Sequence, residues 1–308
     1  MLSDASQMTL IFIVGATATG KSELSLELAT QLGGEVVNAD SMQLYRGMDI
    51  GTAKLSVQER RGIPHHLIDV LDVNQDASVA EYQGWARTKI DELLSQGKPV
   101  IVVGGTGLYV KAILDELNFP DTNPEVRARL SAEADRIGGD AMHQRLGKLD
   151  PAAAAAIPKE NIRRVVRALE VIEITGKPFT ANLPRAGASY YPDAKQFGLV
   201  LNRDDLKERI DKRVDVMWSE GFVEEVRGLI EKGINSGKTA KAALGYSQIL
   251  SFLEGTISEE EAKEETKRAT RAYARRQETW FSRDARISWL KGGTKERLDS
   301  ILSSTISR

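Results

Sequence analysis

Two hydrophobic periods alternate along this chain. Short runs of β-branched and aliphatic residues give way to longer stretches in which apolar positions recur every three or four residues. The runs at 9–14 (TLIFIV), 35–39 (EVVNA), 65–70 (HHLIDV), 99–103 (PVIVV), 196–201 (QFGLVL) and 286–290 (RISWL) read as strands. Helical patterns fit 21–32, 79–96 and 107–114 between them. Continuous apolar strands separated by helices predict a parallel sheet covered on both faces. From Pro120 the pattern changes. Residues 121–185 contain no convincing strand and read as successive helices at 124–137, 140–148, 151–157 and 160–175, punctuated by Gly138-Gly139, Pro151, Pro158 and Pro178. A helical block between two strands predicts an inserted subdomain, with a long helical crossover as the plainer alternative. The core is then 1–120 together with 186–308. The tail is helical again: Ser258-Glu259-Glu260-Glu261 fits a capping box that opens a helix running to about 281.

Composition narrows the chemistry. Among 308 residues there is no cysteine, which excludes disulfides, a Cys-ligated zinc site and a thiol nucleophile. Three histidines (His65, His66, His143) supply a histidine metal centre poorly. The longest early apolar run, Leu10 to Val14, is far shorter than the roughly 20 residues of a membrane span, and no basic segment precedes it. A soluble, cytoplasmic protein with no membrane partner is expected, as a monomer.

The strongest local signal is Gly15-Ala16-Thr17-Ala18-Thr19-Gly20-Lys21-Ser22, which fits G-x-x-x-x-G-K-[ST] directly between an apolar strand and an amphipathic helix. Such a loop turns backbone N–H groups and a helix N-terminus toward phosphate oxygens, while the lysine adds charge and the serine can hold Mg²⁺. By type it is a nucleotide-binding, ATP-binding motif, and it makes the expected fold α/β, a P-loop NTPase-like parallel sheet flanked by helices with an all-helical insertion subdomain. The ligand is a separate question. A P-loop ATPase usually ends a second core strand in an aspartate, yet Val100–Val103 runs into Gly104-Gly105-Thr106-Gly107 without an acid. The acid comes after 35–39, at Asp40. In a doubly wound sheet that strand end opens onto the phosphate crevice, where an aspartate can act as general base, though a turn or capping aspartate fits equally. Thr106 fits a positioning hydroxyl, and equally a turn residue. Arg163, Arg164 and Arg167 cluster on one helix; Arg268, Arg271 and Arg275 recur on another. Such runs are commonly solvated faces, but two of them beside a phosphate loop favour a polyanionic partner.

These residues together resemble the bacterial tRNA dimethylallyltransferases, the isopentenyl-tRNA (IPP) transferase family. The resemblance covers nearly the whole chain: the loop at 15–22, the block from Asn38 to Lys54, Pro64 to Asp69, Val103 to Tyr109, Asn161 to Val171, Gly245-Tyr246 and Tyr273 to Phe281. It implies transfer of the dimethylallyl group from dimethylallyl diphosphate to N6 of the adenosine 3′ of the anticodon (position 37), in tRNAs reading codons that begin with U. The products are N6-(dimethylallyl)adenosine and diphosphate. Gly15, Ala16, Thr17, Ala18, Thr19, Gly20, Lys21 and Ser22 would then hold the donor diphosphate, with Mg²⁺ as cofactor at Ser22. Asp40 and Thr106 would be catalytic. Asp40, Ser41, Met42, Gln43, Thr106, Arg127, Arg163, Arg164, Val165, Val166, Arg167, Gly245 and Tyr246 would contact tRNA, and the insertion would grip the anticodon stem-loop. The chain departs from the family's habit at Ala16, Thr19, Leu55, Glu160 and Ala242, so no phosphate-binding role is carried to Ala242. A P-loop nucleoside or nucleotide kinase is the alternative, and an NTP-gated RNA-binding switch is a third reading.

Net charge qualifies the RNA expectation without removing it. The formal total is −2, but residues 1–120 carry 9 basic and 15 acidic groups while 263–291 carry 9 basic and 4 acidic. Binding by placed arginine clusters is expected, more than by a global field.

Overall fold

The computed structural model describes residues 9–182 and 188–306. Contacts divide the chain into two compact units. One is built by residues up to Leu114 together with those from Tyr191 onward, the other by Asp115–Tyr190. The helical block expected at 121–185 lies within the second unit; its expected end at 185 lies outside the described residues.

The first unit contains a six-stranded sheet of β1 (Leu10–Gly15), β2 (Glu35–Asn38), β3 (His65–His66), β4 (Val100–Val103), β5 (Lys195–Leu199) and β6 (Ile287–Leu290), in the order β3-β2-β4-β1-β5-β6. Every pairing is parallel, with Leu10 beside Val100, Asn38 beside Val103 and Gly15 beside Leu199. Its helices are α1 (Lys21–Leu32), α2 (Val79–Ser95) and α3 (Gly107–Leu114), then, after the second unit, α8 (Arg203–Ser219), α9 (Phe222–Glu231), α10 (Lys238–Lys241), α11 (Tyr246–Leu253), α12 (Glu259–Phe281) and α13 (Thr294–Ile306). Strand alternation sorts the core into two layers. Leu10, Phe12, Val14, Val37, Val100 and Val102 pack against α2, α3, α9 and α11. Ile11, Ile13, Val36, Ile101, Phe197 and Leu199 pack against α1 and α13. Both faces are thus covered, as the continuous apolar strands predict. The expected cap of α12 is present, with Ser258 Oγ accepting from Glu261 N–H and the Glu261 carboxylate reaching back.

One strand is much shorter than expected. The run 65–70 pairs only at His65 and His66, because Leu67 and Asp69 take left-handed backbone conformations (φ 59° and 57°). Asn38 Nδ2 holds the Leu67 carbonyl at 2.9 Å, and the Asp69 carboxylate is drawn to Lys54 Nζ at 2.6 Å. Polar anchoring of this turn outweighs the β-propensity of the run.

The second unit is all helical among its described residues, apart from one bridge between Asp115 and Ser189: α4 (Pro124–Ile137), α5 (Gly139–Leu149), α6 (Pro151–Ala156) and α7 (Ile162–Thr175). Leu130, Met142, Leu146, Val165, Val166 and Leu169 form its core.

Candidate active site

The loop after β1 is the first wall of the site. Gly15 leaves the strand at φ 133°, where a side chain would meet the Leu199 carbonyl oxygen of β5 at 2.8 Å. Ala18 and Gly20 are also at positive φ, so the backbone curls around a concavity. Thr19 Oγ1 and Lys21 Nζ both donate to the Ala16 carbonyl, at 2.9 and 2.6 Å. The loop is pinned from three distant helices. Arg297 of α13 donates to the Thr19 carbonyl at 2.9 Å, Arg213 of α8 to Thr17 Oγ1 at 3.1 Å, and Gln277 of α12 accepts from Thr17 N–H at 2.9 Å. Among the described residues, the N–H groups of Ala18, Thr19, Gly20, Lys21 and Ser22 meet no protein acceptor. Together with the uncapped N-terminus of α1 they form a set of donors facing one way, suited to an anion.

The second wall is where β2 and β4 end side by side. Gly104 lies so close to Ala39 that a Cβ there would be 2.2 Å from the Ala39 carbonyl. This contact sets the Asp40 turn against the Thr106 turn. Asp40 Oδ1 accepts from Met42 N–H at 2.9 Å, and Asp40 N–H donates to Asn38 Oδ1 at 2.9 Å. Asp40 is therefore a turn residue, yet its second oxygen has no donor among the described residues and is available for chemistry. Thr106 Oγ1 accepts from Ser41 N–H at 3.1 Å and approaches Ser41 Oγ at 3.3 Å, so its hydroxyl joins the two turns. The turn that follows Asp40 is held from behind. Lys54, its side chain only 3% exposed, donates to the Tyr45 carbonyl and to Asp49 and Asp69. Glu225 accepts the N–H groups of Asp49, Ile50 and Gly51 and the hydroxyl of Tyr246.

Between these walls lies a cavity of about 470 Å³. Thr17, Asp40, Ser41, Met42 and Thr106 line it, with Arg213, Tyr273 and Arg276 as further polar groups and Val214, Met217, Phe222 and Leu244 as an apolar side. Burial pushes the Lys21 ammonium down to about 8, assisted by Arg213 and opposed by Asp40. Burial likewise lowers Arg213, with Asp40 again opposing, and the Tyr273 phenol is pushed up to about 12 by burial and by the Asp40 charge. Two crowded cations facing one carboxylate make a site with capacity for added negative charge. Ser22 opens instead onto a neighbouring space of about 700 Å³ that shares Arg213 and Met217. Among the described residues no three His, Asp or Glu side chains converge to hold a metal ion.

The family model described as "IPP transferase" matches residues 43–284. The chain belongs to this family. It is 57% identical over 297 residues to a tRNA dimethylallyltransferase of Streptomyces griseus, covering 96% of this chain and 95% of that one. It is 58% identical to the corresponding protein of Thermobifida fusca, covering 94% and 92%. A solved tRNA isopentenylpyrophosphate transferase from Bacillus halodurans is similar over 98% of this chain and 96% of its own, with 40% identity and a TM-score of 0.71. A eukaryotic dimethylallyltransferase described as acting on tRNA is similar over 97% of this chain and 77% of its own, with 29% identity and a TM-score of 0.81.

With the family in view, the expected site residues of this IPP transferase fall into three groups. The phosphate loop, Asp40–Met42 and Thr106 lie together around the two cavities. Gln43 supports the wall through Nε2 to the Thr52 carbonyl at 3.2 Å. Gly245 and Tyr246 are buried against Phe222 and Glu225, and Tyr246 also borders the cavity. In the second unit Val165 and Val166 are core residues, which corrects their expected role as RNA contacts; the helical period turns them inward while Arg163 and Arg164 face solvent. Arg127 and Arg167 flank the fully buried Glu170 at 2.8 and 3.0 Å. Burial raises Glu170, but its bonds to Arg127, Asn123 N–H and Arg167 outweigh this and hold it below the ordinary carboxylate value. Of the α12 arginines, Arg268 pairs with Glu265 and Arg271 with Asp211, so only Arg275 of the expected face is uncompensated. Sequence reasoning missed Arg213, Tyr273, Gln277 and Arg297 as parts of the site. Tyr273 and Gln277 fall inside a segment already singled out by resemblance, while nothing local marks the other two.

Proposed function

We propose that this chain transfers the dimethylallyl group of dimethylallyl diphosphate to N6 of the adenosine 3′ of the anticodon, position 37, in tRNAs reading codons that begin with U. The reading rests on one juxtaposition: an aspartate oxygen with no donor among the described residues shares a cavity with the anion-binding loop and a largely apolar wall. The prenyltransferase names of the relatives support it, and nothing among them favours the kinase alternative.

The chemistry follows from the groups present. The donor's diphosphate would sit on the N–H groups of Ala18 to Ser22, with Lys21 and Arg213 adding charge. Mg²⁺ fits a site with a single protein hydroxyl, Ser22, since it takes most of its oxygens from phosphate and water; when bound it would neutralise the charge of the leaving diphosphate. The apolar side, Met217, Phe222 and Leu244, suits the prenyl chain and the face of a base. An aromatic amine is a weak nucleophile, so Asp40 would accept a proton from N6 as the new N–C bond forms and the allylic C–O bond breaks. The electron pair of that bond leaves with diphosphate, where the loop donors stabilise it. Thr106 and Tyr273 would orient the base edge. Reaching N6 requires the adenine to leave its stack, which costs least in a single-stranded loop.

Mass spectrometry of undermodified tRNA incubated with the enzyme, Mg²⁺ and dimethylallyl diphosphate tests this. A gain of one dimethylallyl unit on an anticodon-loop fragment is expected. Absence of the gain, with phosphoryl transfer from ATP instead, would overturn the proposal.

A further inference from the structure

We infer that Arg297 of α13 is a positioning residue for the donor diphosphate: from behind the phosphate loop it fixes the Thr19–Gly20 peptide, so that Gly20 N–H faces the anion, and it supplies a buried positive charge that the arriving diphosphate compensates. This rests on the reading of the loop as the diphosphate site given above, and adds to it a cation that never touches the ligand.

The guanidinium bridges two backbone carbonyls. Nη1 donates to Thr19 at 2.9 Å and Nη2 to Val200, just beyond β5, at 3.0 Å. It lies against Gly20, where a Cβ would stand 3.8 Å from Nη1. In a trans peptide the carbonyl and the N–H point in opposite directions. The hold on the Thr19 carbonyl therefore turns Gly20 N–H away from Arg297, and among the described residues that N–H meets no protein acceptor. Gly20 stands at φ 92°, and a glycine restrains its own peptide plane weakly, so the orientation of this donor depends on an outside anchor.

Two carbonyls need only two neutral donors, yet this anchor carries a full charge in a place that suits it poorly. Arg297 is 4% exposed, and among the described residues its guanidinium has no carboxylate partner. Its Nε is buried without any partner. It sits in the first turn of α13, where the helix dipole disfavours a cation. Burial lowers its pKa, and Arg209 lowers it further. Asp40 eases the same burden for Lys21 and Arg213 on the other side of the loop. A buried cation without a counter-charge weakens the fold, and such local violations mark functional sites. The missing negative charge is the one the loop is built to receive.

The magnitude follows from distance. One peptide and two hydrogen bonds separate the guanidinium from an oxygen held by Gly20 N–H, about 8 Å. At that range and an effective dielectric of about 20, one unit charge changes anion affinity at least about tenfold.

The test compares wild type, Arg297→Lys and Arg297→Gln by calorimetry with inorganic pyrophosphate and with dimethylallyl diphosphate, both in Mg²⁺. Lysine keeps the charge and loses the fork; glutamine keeps an amide donor and loses the charge. Arg297→Gln should lose at least about tenfold in pyrophosphate affinity, and less for the prenylated donor, which carries less negative charge. Arg297→Lys should keep most of the wild-type affinity, and binding of an anticodon stem-loop RNA should be unchanged in both. Equal losses in the two variants, or equal losses for the two ligands, would show that Arg297 only stitches the loop to β5 and would overturn the inference. So would two variants that bind like the wild type. If Arg297→Gln fails to fold, the pH profile of Arg297→Lys decides. A buried lysine can shed its proton where an arginine cannot, so pyrophosphate affinity should fall more steeply with rising pH than in the wild type; parallel profiles would overturn the inference. In each of these cases the wild type still binds both ligands, and the diphosphate reading stands. A wild type that binds neither would end that reading itself.

Discussion

Removing the Gln277 side chain should damage both stability and turnover, because this one amide connects the donor loop to the acceptor wall. Its Oε1 accepts from Thr17 N–H at 2.9 Å and its Nε2 donates to the Gly105 carbonyl at 2.8 Å. Gln277 is 5% exposed, so neither backbone group has bulk water at hand when the amide is removed. A buried polar group left unpaired costs about 1–3 kcal/mol. Water entering the vacated space would recover part of that for two groups, so Gln277→Ala should destabilise by about 2–4 kcal/mol. The catalytic consequence is separate. Gly105 precedes Thr106, whose hydroxyl holds Ser41 N–H next to Asp40. Loosening the clamp lets the phosphate loop and the base turn shift independently, and a tenfold fall in kcat needs only about 1.4 kcal/mol of lost alignment. Gln277→Glu sharpens the case, since a carboxylate can still accept from Thr17 but faces the Gly105 carbonyl without a donor. It should fall between wild type and Gln277→Ala in stability and lie near Gln277→Ala in kcat. Urea unfolding gives the first quantity and single-turnover prenylation the second. A Gln277→Ala enzyme that loses stability but keeps wild-type kcat would refute the coupling; one unchanged in both would refute the hydrogen-bond argument altogether.

Asp40→Asn keeps the oxygen that accepts from Met42 and so preserves the turn, but lacks a base; kcat should fall about 10²–10⁴-fold with tRNA affinity held within about threefold, and near-normal turnover would end the base assignment. Lys21, lowered to about 8, is charged below that pH, so diphosphate binding should weaken as pH rises through 8 and should take up protons near it; calorimetry in buffers of different ionisation enthalpy that finds no uptake at pH 8 would contradict this. For folding the sign is opposite: between about 8 and the ordinary 10.5 the unfolded chain holds a proton the folded chain lacks, so Lys21 favours stability rising with pH across that window. Gly104→Ala would force backbone against the Ala39 carbonyl, parting the ends of β2 and β4; about 1–3 kcal/mol of stability and at least about tenfold in kcat should be lost, measured by urea midpoint and single turnover.

How far the site could be read from the chain depends on the distance over which each contact acts. The phosphate loop is a local device: strand, glycine-rich turn and helix start within about ten residues, so spacing alone identifies it. Five of the six strands fall close to their expected runs because burial on both faces leaves an unbroken apolar signature. The groups that pin the loop carry no such signature. Arg213, Gln277 and Arg297 reach it from 196, 260 and 278 residues away, each on a helix where a polar residue looks like ordinary surface. The errors have the same origin. A resemblance assigns a segment as a unit, but a helix divides that segment between core and solvent, which is why Val165 and Val166 are buried beside exposed Arg163 and Arg164. On α12 the sequence counts cations without knowing which are neutralised. Asp211, from α8, removes Arg271 from the tally and Glu265 removes Arg268, so among the described residues Arg275 alone of that face keeps no carboxylate partner. A charge run therefore becomes a binding hypothesis only after its ion pairs have been subtracted, and of the expected face of Arg268, Arg271 and Arg275 that subtraction leaves Arg275.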